Sequence, residues 1–303
     1  MVTSIRVGII NNMPDAALRS TERQFGEIIA AAGHDISLRV VWFSLLPTEK
    51  RRHYQPIENL WRLDHLDGLI VTGTEPRAQS LAEEPYWAVL AKTVDWACEH
   101  VSSVFWSCLA AHAAVLHLDG IERCPRPTKL FGTFASTKVA EHFLLAELPT
   151  DIWCAPHSRW NDLPEAALMA CGYQVIARSP GAGVDMFIKH VSRSLFVFMQ
   201  SHLEYDARAL MREYRRDVLR YLTGERDLYP ELPEGYFDPA TEWELELLRE
   251  DAMRTRTPDI MPIMQQAIGR ANLTGAWRPK AIQFYRNWLA ALGAVSPSLA
   301  LSA

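Results

Sequence analysis

Apolar residues fall in short runs along this chain, and breaker or polar residues close each run. Ile5 to Ile10 is a compact, largely β-branched run followed by Asn11-Asn12-Met13-Pro14-Asp15, which reads as a buried strand entering a loop. Thr21 and Gln24 stand at capping-box spacing, Phe25, Ile28, Ile29 and Ala32 follow at helical spacing, and Gly33 stops the helix. The alternation continues with strands Ile36 to Phe43 and Gly68 to Val71, the second ending in Thr72-Gly73. A helix from about Glu84 to His100, a strand Val101 to Ser107 and a helix Leu109 to Leu118 before Gly120 come next. Strands that are apolar throughout and alternate with helices predict an α/β fold with a doubly wound, mostly parallel sheet covered on both faces.

Further strands are expected near Ile152 to Ala155, Tyr173 to Ala177, Val184 to Ile188 and Leu195 to Gln200, then a long helix from Asp206 to about Thr223. After Gly224 the pattern changes. Pro230, Pro233, Gly235 and Pro239 punctuate a loop, and helical segments follow at Glu242 to Met253, Asp259 to Arg270 and Lys280 to Leu292. The expected organisation is an α/β catalytic domain over residues 1–225 and a helical C-terminal extension over 226–303 packed on it.

Composition narrows the function classes. The 303 residues are 49% hydrophobic and 22% charged, the proportions of a globular protein with a large core. Lys and Arg number 31 against 36 Asp and Glu, a formal charge of −5 without long single-sign runs, so neither nucleic acid nor an anionic membrane surface is an expected partner. Apolar stretches such as Val101 to Cys108 fall far short of the roughly 20 residues of a membrane span. The N-terminus carries no signal-peptide pattern, which leads to a cytoplasmic expectation. Cys98, Cys108, Cys124, Cys154 and Cys171 are odd in number and irregularly spaced, as reduced thiols are.

In an open α/β sheet, ligands bind beyond the carboxyl ends of the strands. Cys108 stands at such an end, where Val101 to Ser107 passes directly into an Ala-rich helix whose N-terminal dipole favours a thiolate. Ala110 and Ala111 suit the close packing of a nucleophile elbow, although a buried structural cysteine has the same local sequence. Ser201-His202-Leu203-Glu204-Tyr205-Asp206 follows another strand end, and His202 with Glu204 two residues on can make a base and its orienting carboxylate. Glu213 and Arg216 share a face of the next helix, either as a surface ion pair or as a clamp in which Arg216 takes an α-carboxylate and Glu213 an α-ammonium. Cys108 with His112, and Cys98 with His100, lack a second ligand pair at zinc spacing, so no metal is expected, and His112 and His117 read as packing or surface residues.

With these residues in hand, the chain resembles the homoserine O-acyltransferases of the homoserine O-succinyltransferase type, which have a class I glutamine-amidotransferase-like, flavodoxin-like fold. The resemblance is carried by Ile10-Asn11-Asn12-Met13-Pro14, Thr21-Glu22-Arg23-Gln24-Phe25, Asp67-Gly68-Leu69-Ile70-Val71-Thr72-Gly73, Tyr86-Trp87, Thr128-Lys129-Leu130, Ala155-Pro156-His157-Ser158-Arg159, His202-Leu203-Glu204-Tyr205-Asp206 and Asn287-Trp288-Leu289. It implies that Cys108 carries an acyl thioester, that His202 is the general base and that Glu204 orients it. It further implies that Lys129, Ser158 and Arg216 contact substrate and that Glu213 meets the amino group of homoserine. The implied reaction is ping-pong, with acyl-CoA as co-substrate, no cofactor, and a homodimer as the assembly. The Leu109 N–H and the Gly73-Thr74 loop are the expected oxyanion donors.

The chain also departs from the family pattern. At the loop position where the family has Gly for succinyl and Glu for acetyl donors, counting from Thr72-Gly73 to Tyr86-Trp87 places Arg77, which tilts the expectation towards succinyl-CoA, with Glu75 two residues away as a potential counter-charge. Leu203 replaces the usual Pro between His and Glu, Leu109 a frequent Trp, and His112 the usual Gln. The acceptor is therefore homoserine or a shorter hydroxy-amino acid such as serine, since one methylene discriminates by only about 1–3 kcal/mol. A glutamine-hydrolysing amidotransferase with the same triad is the alternative, disfavoured because Trp106-Ser107-Cys108-Leu109-Ala110 lacks glycine. A catalytically silent binding paralogue is the third reading.

Overall fold

The computed structural model describes residues 4–46, 53–148 and 150–295. The first half winds through β1 (Ile5–Ile10), α1 (Asp15–Ala32), β2 (Leu38–Ser44), β3 (Gln55–Pro56), α2 (Ile57–Leu60), β4 (Leu66–Val71), α3 (Trp87–His100), β5 (Val101–Ser107) and α4 (Leu109–Asp119). The second half adds β6 (Cys124–Lys138), β7 (Ile152–Asp162), α5 (Glu165–Ala170), β8 (Gln174–Ser179), β9 (Gly183–Val191), β10 (Ser194–Met199) and α6 (Ala209–Leu222), then α7 (Pro239–Thr255), α8 (Met261–Arg270) and α9 (Arg278–Val295). Among the described residues all ten strands form one sheet in the order β3-β2-β1-β4-β5-β10-β9-β8-β6-β7. The six strands from β3 to β10 run parallel, and β9, β8, β6 and β7 extend the sheet antiparallel.

The continuous apolar character of the central strands follows from their burial on both faces. One face is covered by α2, α3 and α4, with Leu60, Leu90, Val94, Ala110 and Ala114 packed on Leu69, Val71, Val104 and Trp106. The other is covered by α1 and α9, with Phe25, Ile28, Trp288 and Leu289 on Val7, Ile9, Ile70 and Phe105. A third cluster joins α6, α7 and α8 through Leu210, Tyr214, Leu245 and Met264, with Phe131 of β6 at its border. Among the described residues no helix is long and apolar enough to cross a membrane.

Two readings of the sequence are corrected. The first helix starts at Asp15, behind Pro14, and not at a Thr21 capping box; Thr21 and Gln24 lie inside α1 at 8% and 4% exposure, turned towards the core. Pro14 fixes its own φ at −64° and Asp15 places a carboxylate in the first turn, which together start the helix about two turns earlier than a Thr21 cap would. The long strand β6 was not expected at all: Pro125, Pro127 and Lys129 mask its pattern, and its register with β7 slips between Pro125 and Leu130.

The helix α9 reaches deep into the fold. Trp288 is fully buried, its indole N–H donates to Ser103 Oγ at 3.0 Å, and its ring lies over Gly68 of β4. A Cβ at Gly68 would come within 2.6 Å of Leu292 Cδ1 and 2.8 Å of the Trp288 ring, so glycine at this position is set by the depth at which α9 docks. Gly68→Ala is expected to destabilise the protein by about 1–3 kcal/mol through overpacking. A urea midpoint lowered at unchanged slope would show it, and an unchanged midpoint would mean that α9 is not seated this closely.

Candidate active site

The carboxyl ends of β5 and β10 lie side by side, because Ser107 pairs with Met199 in parallel register. Cys108 leaves β5 with φ 49° and ψ −114°, a left-handed conformation that turns the chain at once into α4. The turn is closed by the Cys108 N–H donating to the Met199 carbonyl at 2.7 Å, while the Cys108 carbonyl receives the Ala111 N–H at 2.9 Å. Ala110, Ala111, Ala113 and Ala114 are all buried, so small side chains let α4 lie tightly against its neighbours.

His202 follows β10 by three residues, and its backbone N–H donates to the Pro156 carbonyl of β7 at 2.8 Å. Its Nδ1 stands 2.7 Å from Glu204 Oε1, which leaves Nε2 as the nitrogen for Cys108, its other side-chain hydrogen-bond partner. Burial opposes a charge on this imidazole, but the Cys108 and Glu204 charges and hydrogen bonds overcome it and hold the ring well above its ordinary range. Gly73, after β4, backs onto the elbow: a Cβ there would lie 3.1 Å from the Leu109 nitrogen. That nitrogen carries the first N–H of α4, one of the helix donors without an intrahelical acceptor.

A second cluster lies on α6, β6 and β7. Glu213 receives the Ser158 hydroxyl at 2.6 Å on Oε2 and the Tyr205 hydroxyl on Oε1, with Lys129 Nζ 3.6 Å away. Burial works against the Glu213 charge, yet Lys129, Ser158 and Tyr205 outweigh it and hold the carboxyl below its usual range. Lys129 also donates to Asp217 at 3.1 Å and lies 4.0 Å above the Phe131 ring. Arg216 reaches Asp217 at 2.9 Å and Glu213 at 3.9 Å, with 40% of its side chain exposed. The pair Glu213 and Arg216 is thus part of a partly buried five-residue cluster and not an isolated surface pair.

Tyr205 joins the two clusters, its ring stacked on His202 at 4.2 Å and its hydroxyl bonded to Glu213. Sequence reasoning missed it, as it missed Asp217, though both stand beside named residues: one follows His202-x-Glu204 directly, the other follows Arg216. Asp185, fully buried, accepts the Ser201 N–H at 3.2 Å and the Ser136 hydroxyl at 2.5 Å, which fixes the turn into His202. His112 is buried against Gln200, Nε2 to Oε1 2.8 Å, and burial together with the nearby Arg159 charge pushes its imidazole down to about 3, so it packs as a neutral ring. His117 pairs with Asp95 at 2.7 Å on the surface. Arg77 is exposed, and among the described residues no hydrogen bond or ion pair joins its side chain to either cluster. Among the described residues, no three His, Cys, Asp or Glu side chains are grouped to hold a metal ion.

Comparison with solved structures defines the class. The chain superposes over 95% of its length on 98% of a glutamine amidotransferase from Thermotoga maritima, with a TM-score of 0.52 at 12% identity, so the fold is of the class I glutamine amidotransferase kind. Residues 1–296 match the family profile described as homoserine O-succinyltransferase. The chain is 46% identical over 307 residues to the homoserine O-succinyltransferase of Methylorubrum extorquens, covering 99% of this chain and 89% of that one. It is likewise 46% identical over 296 residues to the homoserine O-succinyltransferase of Rhodopseudomonas palustris, covering 95% and 88%. The chain belongs to the homoserine O-succinyltransferase family and is an acyltransferase.

The electrostatics of His202 are directly testable. Because the Cys108 charge raises its pKa, Cys108→Ala is expected to move the His202 titration to lower pH than in the wild type, read as ring nitrogen and carbon shifts by NMR. Identical titration curves for the two proteins would exclude the Cys108–His202 pair.

Proposed function

We propose that this protein transfers a succinyl group from succinyl-CoA to the hydroxyl of L-homoserine by a ping-pong mechanism through Cys108. The observation that carries the reading is His202 held between Cys108 and Glu204, with Tyr205 linking that triad to the Lys129–Ser158–Glu213–Arg216 cluster. Family membership supports acyl transfer to homoserine as the reaction class.

In this reading the Cys108 thiolate attacks the thioester carbonyl of the donor, and the negative oxygen formed is met by the N–H of Leu109 and the backbone at Gly73. The tetrahedral adduct collapses, the C–S bond to CoA breaks, and the departing thiolate takes the proton held by His202. The homoserine hydroxyl then gives its proton to His202 and attacks the acyl thioester, and collapse releases the ester with the Cys108 thiolate restored. Glu204 keeps the Nδ1 proton in place throughout, so Nε2 is the nitrogen that exchanges. Arg216 takes the acceptor's α-carboxylate and Glu213 its ammonium, with Lys129 and Ser158 fixing the Glu213 carboxylate. No cofactor beyond the acyl-CoA co-substrate is required. A homodimer is part of the proposal, and the exposed Trp243 and Leu247, i and i+4 on α7, offer it an apolar face; a sedimentation mass of one chain would remove that part.

Intact-mass measurement tests the core of the proposal. Succinyl-CoA without acceptor is expected to add one succinyl group to the wild type and none to Cys108→Ala, and homoserine should discharge the adduct. No adduct from succinyl-CoA or acetyl-CoA, with Cys108 still open to alkylation, would overturn it in favour of glutamine hydrolysis or a non-catalytic role. Glu213→Gln is expected to raise the KM for homoserine at least about tenfold, the scale of one lost charged contact, with formation of the acyl-enzyme unchanged.

A further inference from the structure

The loop that leaves β4 carries opposite charges two residues apart, Glu75 and Arg77, and the structure parts them. Its start is fixed against the nucleophile, through the close approach of Gly73 to the Leu109 nitrogen. Its far end is fixed by Glu84, 4% exposed, whose Oε1 accepts the N–H of Arg77 at 2.6 Å and of Ala78 at 2.9 Å. Between these anchors Glu75 turns to α6, where its two oxygens accept from Nη1 and Nη2 of Arg220 at 2.8 and 3.1 Å, and Oε1 also from Arg226 at 3.3 Å. Both arginines are backed by Asp217, 1% exposed, at 3.8 and 3.9 Å. Among the described residues Arg77 has no side-chain hydrogen bond or ion pair, and its side chain is exposed.

The partition of charge around the site follows. Lys129 and Arg216 are engaged by Glu213 and Asp217, and Arg220 and Arg226 by Asp217 and Glu75, whereas among the described residues no carboxylate pairs with Arg77. A succinyl group on Cys108 ends in a free carboxylate only two methylenes beyond the thioester carbonyl, and it needs a cation not already matched. If Glu75 were released it would sit two residues from Arg77 in an irregular loop, close enough to neutralise it and to present a second negative charge to the donor.

We propose that Arg220 and Arg226 set donor specificity at one remove: by holding the Glu75 carboxylate they keep it off Arg77, which is left to receive the distal carboxylate of a dicarboxylic acyl donor. This rests on the reading of Cys108 as acyl carrier and Arg77 as donor-selecting residue. The two arginines are positioning residues, because they act through Glu75 and do not touch the donor.

The test compares kcat/KM for succinyl-CoA with kcat/KM for acetyl-CoA, measured on the same preparations of four proteins. These are the wild type, Arg220→Gln/Arg226→Gln, Glu75→Gln, and the triple variant. The succinyl-to-acetyl ratio is expected to fall about tenfold in the double variant, the scale of one charged contact, and to return to within about twofold of wild type when Glu75→Gln is added. Glu75→Gln alone should not lower the ratio. A strap that served only to stabilise the loop would depress both donors together and would not be rescued by removing a second charge. Arg220→Gln alone, which leaves Arg226 on Glu75, supplies a milder variant expected to shift the ratio in the same direction by less. An unchanged ratio in an enzyme that transfers succinyl overturns the inference and leaves the proposed function standing. A fall that Glu75→Gln does not reverse overturns it too, since the arginines would then act on the donor itself. A wild type that turns over only acetyl-CoA removes both the succinyl reading and this one.

Discussion

The parallel pairing of β5 with β10 is the constraint on which the site depends. These two strands are far apart in sequence, and their register, Ser107 against Met199, sets the carboxyl end of one beside the carboxyl end of the other. The hydrogen bond from the Cys108 N–H to the Met199 carbonyl then continues the ladder by one rung into the elbow. A slip of one residue would turn every side chain of β10 to the opposite face and carry His202 away from Cys108. The apolar residues of β10, all buried, prevent that slip, because α-helical layers cover both faces and each accepts its own set of side chains. Core packing and the placement of Cys108 beside His202 are therefore one and the same specification at this point of the chain.

Around this pair the protein arranges charge so that few ionic groups stand alone. Asp217 is the buried centre of a group of cations contributed by β6, α6 and the segment after it, and Glu213 is the centre of a set of donors from β6, β7 and the turn after β10. Isolated carboxylates at this depth would carry a large desolvation cost, and here each is compensated by several short contacts. Tyr205 lets the two clusters share a wall: one face of its ring supports the imidazole, and its hydroxyl supports the carboxylate. Tyr205 is one link between the clusters, and the hydrogen bond from the His202 N–H to Pro156, on the strand that carries Ser158, is a second.

Much of the molecule was legible from the chain alone, for reasons that differ by element. β1, β4, β5 and β10 announce themselves because strands buried on both faces carry runs of consecutive apolar residues, such as Val7 to Ile10, Gly68 to Val71, Val104 to Trp106 and Leu195 to Met199. The placement of Cys108 and His202 at strand ends was legible because both closely follow apolar runs in sequence. β6 was not legible, since its stability comes from pairing with β7 and β8 across long separations and its own residues include prolines and exposed polar groups. Tyr205 and Asp217 were not legible as site residues, because their importance lies in which distant groups they meet, and one chain carries no sign of that. The start of α1 was misplaced because Thr21 and Gln24 fit a capping pattern by type while their burial gives them another place.

The docking of α9 has a consequence for the order in which the molecule can be assembled. Trp288 bonds to Ser103, 185 positions earlier, and closes over a bare glycine in the middle of the sheet. While the chain is being synthesised, β1, β4 and β5 can align under α1 long before α9 exists, so the part of this face that α9 covers, around Gly68 and Phe105, is closed last. The last helix of the chain therefore completes the core of the first strands, and a chain cut before α9 would leave Phe105 and Ile70 without the Trp288 and Leu289 side chains that cover them.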